Sequence, residues 1–184
     1  MDGAQEPRAS LRAISTMKPF ATSLLALAFM LVQTTSAAAA EDERGSVTNL
    51  PIPRYVSMKA AEGNVRRGPS RTHQIDWIFK RRDVPLRITA EHGHWRRIQD
   101  RDGAGGWMHY SLLSGVRTVI VETDMLQMRA QPVPDALPVA QLELGVIARV
   151  DECGETWCRL RASGYRGWAE KQHLWGVEAG ETLD

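Results

Sequence analysis

Two closely spaced cysteines carry the most reactive side chains of this 184-residue chain. Cys153 and Cys158 lie in the stretch ECGETWC, where Gly154 favours a turn between them. In an oxidising compartment such a pair most simply forms a disulfide bond. A zinc site would need a CxxC pair with further ligands, and a catalytic thiolate would need a histidine on a neighbouring strand. The spacing therefore predicts a disulfide bond and no nucleophile.

The other motifs that could support catalysis are incomplete. His92 and His94 have the spacing of a metal-binding pair, but they flank a predicted turn and have no third ligand beside them. The stretch DGAGG lacks the Lys-Ser/Thr pair of a phosphate-binding loop. Neither a Gly-x-Ser-x-Gly nor a His-Glu-x-x-His motif occurs. We therefore predict a protein that is not an enzyme, with no catalytic residue, no metal site and no cofactor.

The six tryptophans of the chain indicate binding, because exposed aromatic rings give a large contact area for little loss of side-chain entropy. The candidate groove in the first half of the chain consists of Trp77, Trp95, Trp107, Tyr110, Arg82 and Arg97. The candidates in the second half are Trp157, Trp168 and Trp175. The alternative, which the sequence leaves open, is that these rings cap a thin hydrophobic core.

A single pattern of residues occurs twice along the chain. The matching pairs are Trp95 with Trp157, Gly106-Trp107 with Gly167-Trp168, and Leu113 with Leu174. Their offsets are 61 or 62 residues, and they differ where turns would absorb the difference. A period near sixty is too long for most solenoid repeats. It favours two copies of a small domain, at residues 54–115 and 116–177.

Each copy has the pattern of several short β-strands. In VPLRITAE, four apolar residues alternate with polar ones, so Glu91 is expected to face away from the core with Arg87 and Thr89. In the following strand, Ile98 is expected on the core side, with Trp95 and Arg97 on the other side. Turns such as Asp-Gly separate the strands. The pattern predicts an all-β fold of two small barrels.

In this order, the features resemble the bacterial Src-homology-3-like domain, in two tandem copies that cover residues 54–177. GNVRRGPS resembles the loop signature of that family, and HWRRI and GGWMHYSLL resemble its Trp and Gly-Trp strands. The second copy departs from the loop pattern, because LQMRAQPVP lacks the Asn and the Gly before its proline. The resemblance implies two Src-homology-3-like β-barrels that bind cell-wall peptides or partner proteins.

Residues 1–40 are predicted to be a cleaved signal peptide. A lysine precedes the apolar run 19–32, and small residues follow up to a cleavage site near Ala38 or Ala40. The apolar run is too short for a comfortable membrane span. We therefore expect a periplasmic or secreted protein, with no stable membrane span after cleavage.

The segments that flank the two copies have no periodic pattern. Residues 41–53 are acidic and then punctuated by prolines, which predicts an extended linker. Residues 178–184 are predicted to be an acidic, frayed tail.

Charge is divided unevenly along the chain, although the net charge is only +1. Residues 54–115 contain 12 Lys and Arg against 6 Asp and Glu, whereas residues 116–184 contain 7 against 11. The near balance overall argues against a nucleic-acid partner. Either the two copies attract each other through opposite charges, or the first copy binds an anionic partner.

The sequence as a whole predicts an exported, non-enzymatic binding protein. Its predicted ligand is a peptidoglycan peptide or another component of the cell envelope. The alternative function is a periplasmic protein–protein adaptor or a targeting subunit of a cell-wall hydrolase.

Overall fold

The computed structural model describes residues 43–184, and all of its regular elements are β-strands and two short 3₁₀ turns. The predicted signal peptide lies outside these residues. Among the residues described, no helix is long and apolar enough to cross a membrane. The prediction of an all-β chain with two tandem domains is confirmed.

The first domain is a seven-stranded antiparallel sheet. Its strands are β1 (Arg54–Met58), β2 (Gly63–Arg66), β3 (Ile75–Phe79), β4 (Pro85–His92), β5 (Trp95–Gln99), β6 (Gly105–His109) and β7 (Leu113–Ser114). They pair in the order β3-β2-β6-β5-β4-β1-β7. A 3₁₀ turn at Tyr110–Leu112 joins β6 to β7. The predicted loop signature therefore begins inside a strand, because GNVR forms β2.

The second domain repeats this order strand for strand. Its strands are β8 (Thr118–Val121), β9 (Leu126–Arg129), β10 (Pro138–Leu142), β11 (Ile147–Cys153), β12 (Trp157–Ala162), β13 (Tyr165–Glu170) and β14 (Leu174–Trp175). They pair in the order β10-β9-β13-β12-β11-β8-β14. A 3₁₀ turn at Lys171–His173 takes the place of the one in the first domain.

Each domain buries its own hydrophobic core, built from the apolar residues that alternate along its strands. The core of the first domain includes Met58, Val65, Leu86, Ile88, Ile98 and Met108. The core of the second includes Val119, Val121, Met128, Ala148, Leu160 and Ala169. The sequence repeat is therefore a repeat of core positions as well as of surface tryptophans.

Strand β4 departs from the predicted alternation at its end. Its pairing with β5 shifts by one residue between Ile88 and Ala90, which marks a β-bulge. Beyond the bulge, Glu91 faces inward and is 8% exposed, while Ala90 is half-buried. The prediction that Glu91 faces solvent with Arg87 and Thr89 is therefore wrong, because the extra residue reverses the faces.

The segment before β1 is a folded loop, so the prediction of an extended linker is wrong. Arg44 forms an antiparallel bridge with Pro51, and the amide of Gly45 donates to the carbonyl of Leu50 at 2.8 Å. The Glu91 carboxylate accepts hydrogen bonds from the amides of Val47 and Thr48, at 2.9 and 2.8 Å. A single buried carboxylate thus fastens this N-terminal loop to β4.

The C-terminal tail is also ordered, contrary to the frayed tail that its composition predicts. Leu183 and Cys153 exchange two backbone hydrogen bonds, of 2.8 and 3.0 Å. Lys171 is 6% exposed, and its ammonium donates to the carbonyls of Gly154, Ala179 and Glu181. The carboxylate of Glu181 adds an ion pair with Arg117, so backbone acceptors and acidic side chains together fix the tail.

The two domains contact each other within one compact unit. The rings of Tyr55 and Trp175 meet edge to face, with centroids 5.2 Å apart. Thr118 Oγ1 donates to the carbonyl of Asp83 at 2.8 Å. Opposite charges take part through Arg87 Nη2, which lies 3.2 Å from a carboxylate oxygen of Glu178.

Cys153 and Cys158 form the predicted disulfide bond. They are direct partners on β11 and β12, with Cα atoms 4.0 Å apart. The bond closes the hairpin turn that carries Glu155 and Thr156.

We expect the double variant Cys153→Ser, Cys158→Ser to keep its fold and to lose about 2 kcal/mol of unfolding free energy, because the closed loop is short. Urea unfolding followed by tryptophan fluorescence measures the loss. Reduction of the wild-type protein by dithiothreitol is the control and should produce the same shift. An unfolded variant, or one as stable as the oxidised protein, would contradict this account.

Candidate functional site

The outward side of β5 and β6 carries the best candidate site of the first domain. Trp95 lies opposite His109, and Arg97 lies opposite Trp107, so the four side chains share one side of the sheet. We call these four residues the first aromatic face. Both tryptophans are half-buried and Arg97 is exposed. The sequence reasoning placed Trp95 and Arg97 on this side but did not single out His109.

Imidazole rings surround the tryptophans. The ring of His109 meets Trp95 edge to face at 5.4 Å, and the ring of His92 meets Trp107 in the same way at 6.4 Å. His94 extends the group, with its ring 5.6 Å from Tyr110. The sequence reasoning treated the two turn histidines as isolated. The available signal was the period of two in WMHY, which puts Trp107 and His109 on the same side.

The surroundings of His109 disfavour the protonated form of its imidazole. Burial lowers the pKa of its imidazole, and the charges of His94, Arg71 and Arg96 lower it further. Its Nδ1 atom lies 2.8 Å from Ser111 Oγ. At neutral pH the permanent positive charge of the first aromatic face therefore comes from Arg97.

Two features of β2 fix the position of Trp107. The residue before it, Gly106, packs so closely on β2 that an added Cβ would lie 2.5 Å from Val65 Cγ1 and 2.9 Å from the carbonyl oxygen of Arg66. Arg66 in turn donates from Nη1 to the carbonyl of His73 at 2.7 Å, which closes the loop between β2 and β3. The glycine of the repeated Gly-Trp pair is therefore required for close packing against β2.

A shallow depression adjoins this site. It has a volume of about 560 Å³ and is lined by Trp107, Arg97, Arg67, Asp76 and two glycines. Arg67 is paired with Asp76 at 2.6 Å. Within residues 43–184, no carboxylate oxygen lies within 4.0 Å of the Arg97 guanidinium. Of the two arginines that line this depression, Arg67 is therefore paired with a carboxylate and Arg97 is not.

The second domain has the equivalent arrangement on β12 and β13. Trp157 lies opposite Glu170, and Arg159 lies opposite Trp168. We call these four residues the second aromatic face. It differs in charge from the first, because Glu170 stands where the first face has His109. Arg159 also has an internal partner, since its Nη1 lies 3.2 Å from Glu152 Oε1.

The altered loop signature of the second copy keeps one contact. Arg129 donates from Nη1 to the carbonyl of Ala136 at 2.8 Å, seven residues along the chain, as Arg66 does to His73. An added Cβ at Gly167 would lie 2.9 Å from the carbonyl oxygen of Arg129. The missing Asn and Gly therefore do not remove the contact between this arginine and the loop.

Three of the predicted site residues lie away from both faces. Trp77 packs beside Phe79 against the core of the first domain, as the core-capping interpretation expects. Arg82 donates from Nη1 to the carbonyl of Lys59. Trp175 contacts Tyr55 between the domains. Tyr110 is 48% exposed and adjoins the first aromatic face through His109, with ring centroids 5.0 Å apart.

A comparison with solved structures found two proteins of Trichomonas vaginalis, NlpC1 and NlpC2. Their identities to this chain are 9% and 8%, and their TM-scores are 0.33 and 0.32. The alignments cover 71% and 67% of this chain and 48% of each of those chains, so this chain spans about half their length. No curated protein matches the sequence.

The family comparison matches both halves of the repeat. The sequence model of the bacterial SH3 domain matches residues 59–115 and again residues 122–176. These ranges cover most of the strands of each sheet, including both aromatic faces. The chain therefore belongs to the bacterial SH3 domain family and carries two copies of that domain in tandem.

Proposed function

We propose that this chain is an exported, non-enzymatic binding protein whose first aromatic face holds an anionic ligand of the cell envelope. The proposed ligand is a peptidoglycan peptide bound through a carboxylate. The observation that carries the proposal is Arg97, an exposed guanidinium beside Trp107 with no carboxylate within 4.0 Å among the described residues.

Aromatic and guanidinium groups together suit such a ligand. A guanidinium can bind a carboxylate through two parallel hydrogen bonds, and a flat ring covers the apolar part of a peptide. The equivalent Arg159 already has Glu152 beside it. A carboxylate ligand would have to compete with that partner at the second face, so the first face is the stronger candidate.

The disulfide bond supports export and argues against a catalytic role for its two cysteines. Disulfide bonds persist mainly in oxidising compartments, in agreement with the predicted signal peptide. Neither cysteine has a free thiolate, so neither can act as a nucleophile.

The test is binding of the purified protein to isolated peptidoglycan sacculi. We expect Trp95→Ala to weaken binding about thirtyfold, the effect of losing an aromatic anchor worth about 2 kcal/mol. We expect Arg97→Gln to weaken it about tenfold. Arg81→Gln removes the same charge from an exposed position outside the face and should bind normally.

Circular dichroism of each variant distinguishes binding from folding. A folded Trp95→Ala protein with weakened binding supports the proposed site, whereas an unfolded one would assign Trp95 to the core. In that case Arg97→Gln decides the question, because its side chain is exposed. Binding equal to that of the wild type in Arg97→Gln would refute the proposed anion site.

A second candidate function is a periplasmic adaptor or a targeting subunit of a wall hydrolase. Exposed apolar side chains at the edge of the second sheet favour it: Val133, Leu137 and Val139 are 45%, 78% and 38% exposed. Failure of the wild-type protein to bind sacculi, together with capture of a defined envelope protein, would favour this function.

A further inference from the structure

A cavity of about 610 Å³ opens at one end of the second domain. Trp157 and Glu170 form one side of it, and Glu155 lies on the hairpin turn above them. Leu174 and Val177 add apolar surface. The cavity therefore combines an aromatic ring, two carboxylates and an apolar wall, which is the usual composition of a small-ligand site.

A disulfide bond and hydrogen bonds fix the backbone around this cavity. The disulfide bond closes the turn that carries Glu155. The amide of Lys171 donates to the carbonyl of Thr156 at 2.9 Å, which joins the turn to the chain after β13. Lys171 also lines the cavity, but its ammonium donates to three backbone carbonyls and is committed to them.

Two carboxylates remain able to meet a ligand. Glu155 is exposed and takes part in no side-chain ion pair within residues 43–184. Glu170 receives a hydrogen bond from Gln172 on Oε2, at 2.5 Å, and His173 lies 3.8 Å from the same oxygen. The second oxygen of Glu170 is not used by these contacts.

The first domain lacks this combination at the equivalent place. His109 stands where the second domain has Glu170, His94 where it has Thr156, and Tyr110 where it has Lys171. The tryptophan is the same in both, because Trp95 and Trp157 occupy equivalent positions. The two ends therefore present the same ring, with carboxylates beside it in the second domain and imidazole rings beside it in the first.

We propose that the cavity beside Trp157 binds a primary ammonium group on an aliphatic chain, as in the side chain of a lysine or another diamino acid of a peptide. The carboxylates of Glu155 and Glu170 neutralise the ammonium, and the face of Trp157 attracts a cation through its π electrons. The methylene groups of the ligand lie on Leu174 and Val177. This proposal does not depend on the anion site of the first domain.

The experiment uses two probes that differ only in the charged group. Nα-acetyl-lysine methylamide carries the ammonium, and Nα-acetyl-norleucine methylamide has the same chain without it. NMR titration of the tryptophan indole signals of the full chain gives a dissociation constant for each. We expect the lysine probe to bind at least tenfold more tightly, with the largest shift at Trp157.

Variants then locate the site. Glu170→Gln should weaken binding of the lysine probe about tenfold, and Glu155→Gln should weaken it by a smaller factor. Glu143→Gln removes an exposed carboxylate elsewhere in the same domain and should leave binding unchanged. A folded Glu170→Gln protein that binds as tightly as the wild type would overturn the proposal.

Equal binding of the two probes, or no binding of either, would also overturn it. Neither result affects the sacculus experiment with Arg97→Gln, since that variant changes only the first domain. Conversely, loss of the proposed anion site leaves the comparison of lysine with norleucine unchanged. The two proposals can therefore fail independently.

Discussion

Replacement of Glu91 by glutamine should lower the free energy of unfolding by about 3 kcal/mol, at the lower end of the range for breaking a buried ion pair. The carboxylate has a fully buried side chain and lies 2.6 Å from Arg54 and 3.5 Å from Arg96. It also accepts a 2.7 Å hydrogen bond from the hydroxyl of Thr48. An amide keeps the shape and some of the hydrogen bonds but leaves the two guanidiniums without a counter-charge.

The dependence of stability on pH gives an independent measurement of the same interaction. Burial by itself raises the pKa of Glu91, but hydrogen bonds from Arg54, Thr48 and Val47 outweigh it and lower the pKa from 4.5 to about 2. The stabilisation is therefore complete above pH 4.5 and is lost as the pH falls toward 2. By linkage it amounts to on the order of 3 kcal/mol.

Urea unfolding at a series of pH values checks both expectations. The Glu91→Gln protein should lose less stability than the wild type between pH 4.5 and pH 2. Glu62→Gln, which removes an exposed carboxylate of the same domain, should match the wild type. A loss below about 1 kcal/mol at neutral pH would show that this carboxylate does not hold the N-terminal loop.

Gly106→Ala should lower the free energy of unfolding by roughly 3 kcal/mol, at the upper end for overpacking. The added methyl group would meet Val65 Cγ1 at 2.5 Å and the carbonyl oxygen of Arg66 at 2.9 Å. A side chain can rotate away from the methyl group, but the carbonyl belongs to the paired backbone of β2. The strands would have to separate where Arg66 pairs with Trp107.

Gly115→Ala is the matched control, because an added Cβ there has no atom within 4 Å. Gly167→Ala should resemble Gly106→Ala, since its Cβ would lie 2.6 Å from Val139 Cγ2. Urea unfolding of the three variants compares them directly. Equal stability of Gly106→Ala and Gly115→Ala would disprove the packing role of the Gly-Trp pair.

Local alternation was enough to predict the strands that carry the first aromatic face. Ile98 is fully buried, while Trp95 and Arg97 on the same strand point to the other side. Nearest-neighbour pairing then brings Trp107 beside Arg97. A period of two and a short hairpin contain this information, so the sequence could reveal this part of the site.

The environment of Glu91 could not be predicted in the same way. The β-bulge after Ile88 shifts the register by one residue, and local hydrophobicity does not reveal such a shift. Two of the groups that donate to the carboxylate, the amides of Val47 and Thr48, come from the N-terminal loop, more than 40 residues earlier. A segment that is acidic and rich in proline is therefore predicted to be extended, because its sequence does not show that Glu91 binds it.

The assignment of tryptophans to the groove or to the core also depends on distant contacts. Trp77 lies on the edge strand β3, and only the fold shows that its ring packs on the core of the first domain. Trp175 meets Tyr55 across 120 positions of sequence. From residue type alone, Trp77 and Trp175 would be assigned to a ligand groove just as Trp95 is.

Arg66 and Arg129 make the same contact with a loop carbonyl, each in its own domain, and this has a consequence for the evolution of the chain. A duplicated gene segment begins as two identical copies, and later substitutions survive only where folding tolerates them. The two arginines and the glycines Gly106 and Gly167 hold the backbone in both copies. His109 and Glu170 face outward at equivalent places. Each copy could therefore acquire its own ligand chemistry without a new scaffold.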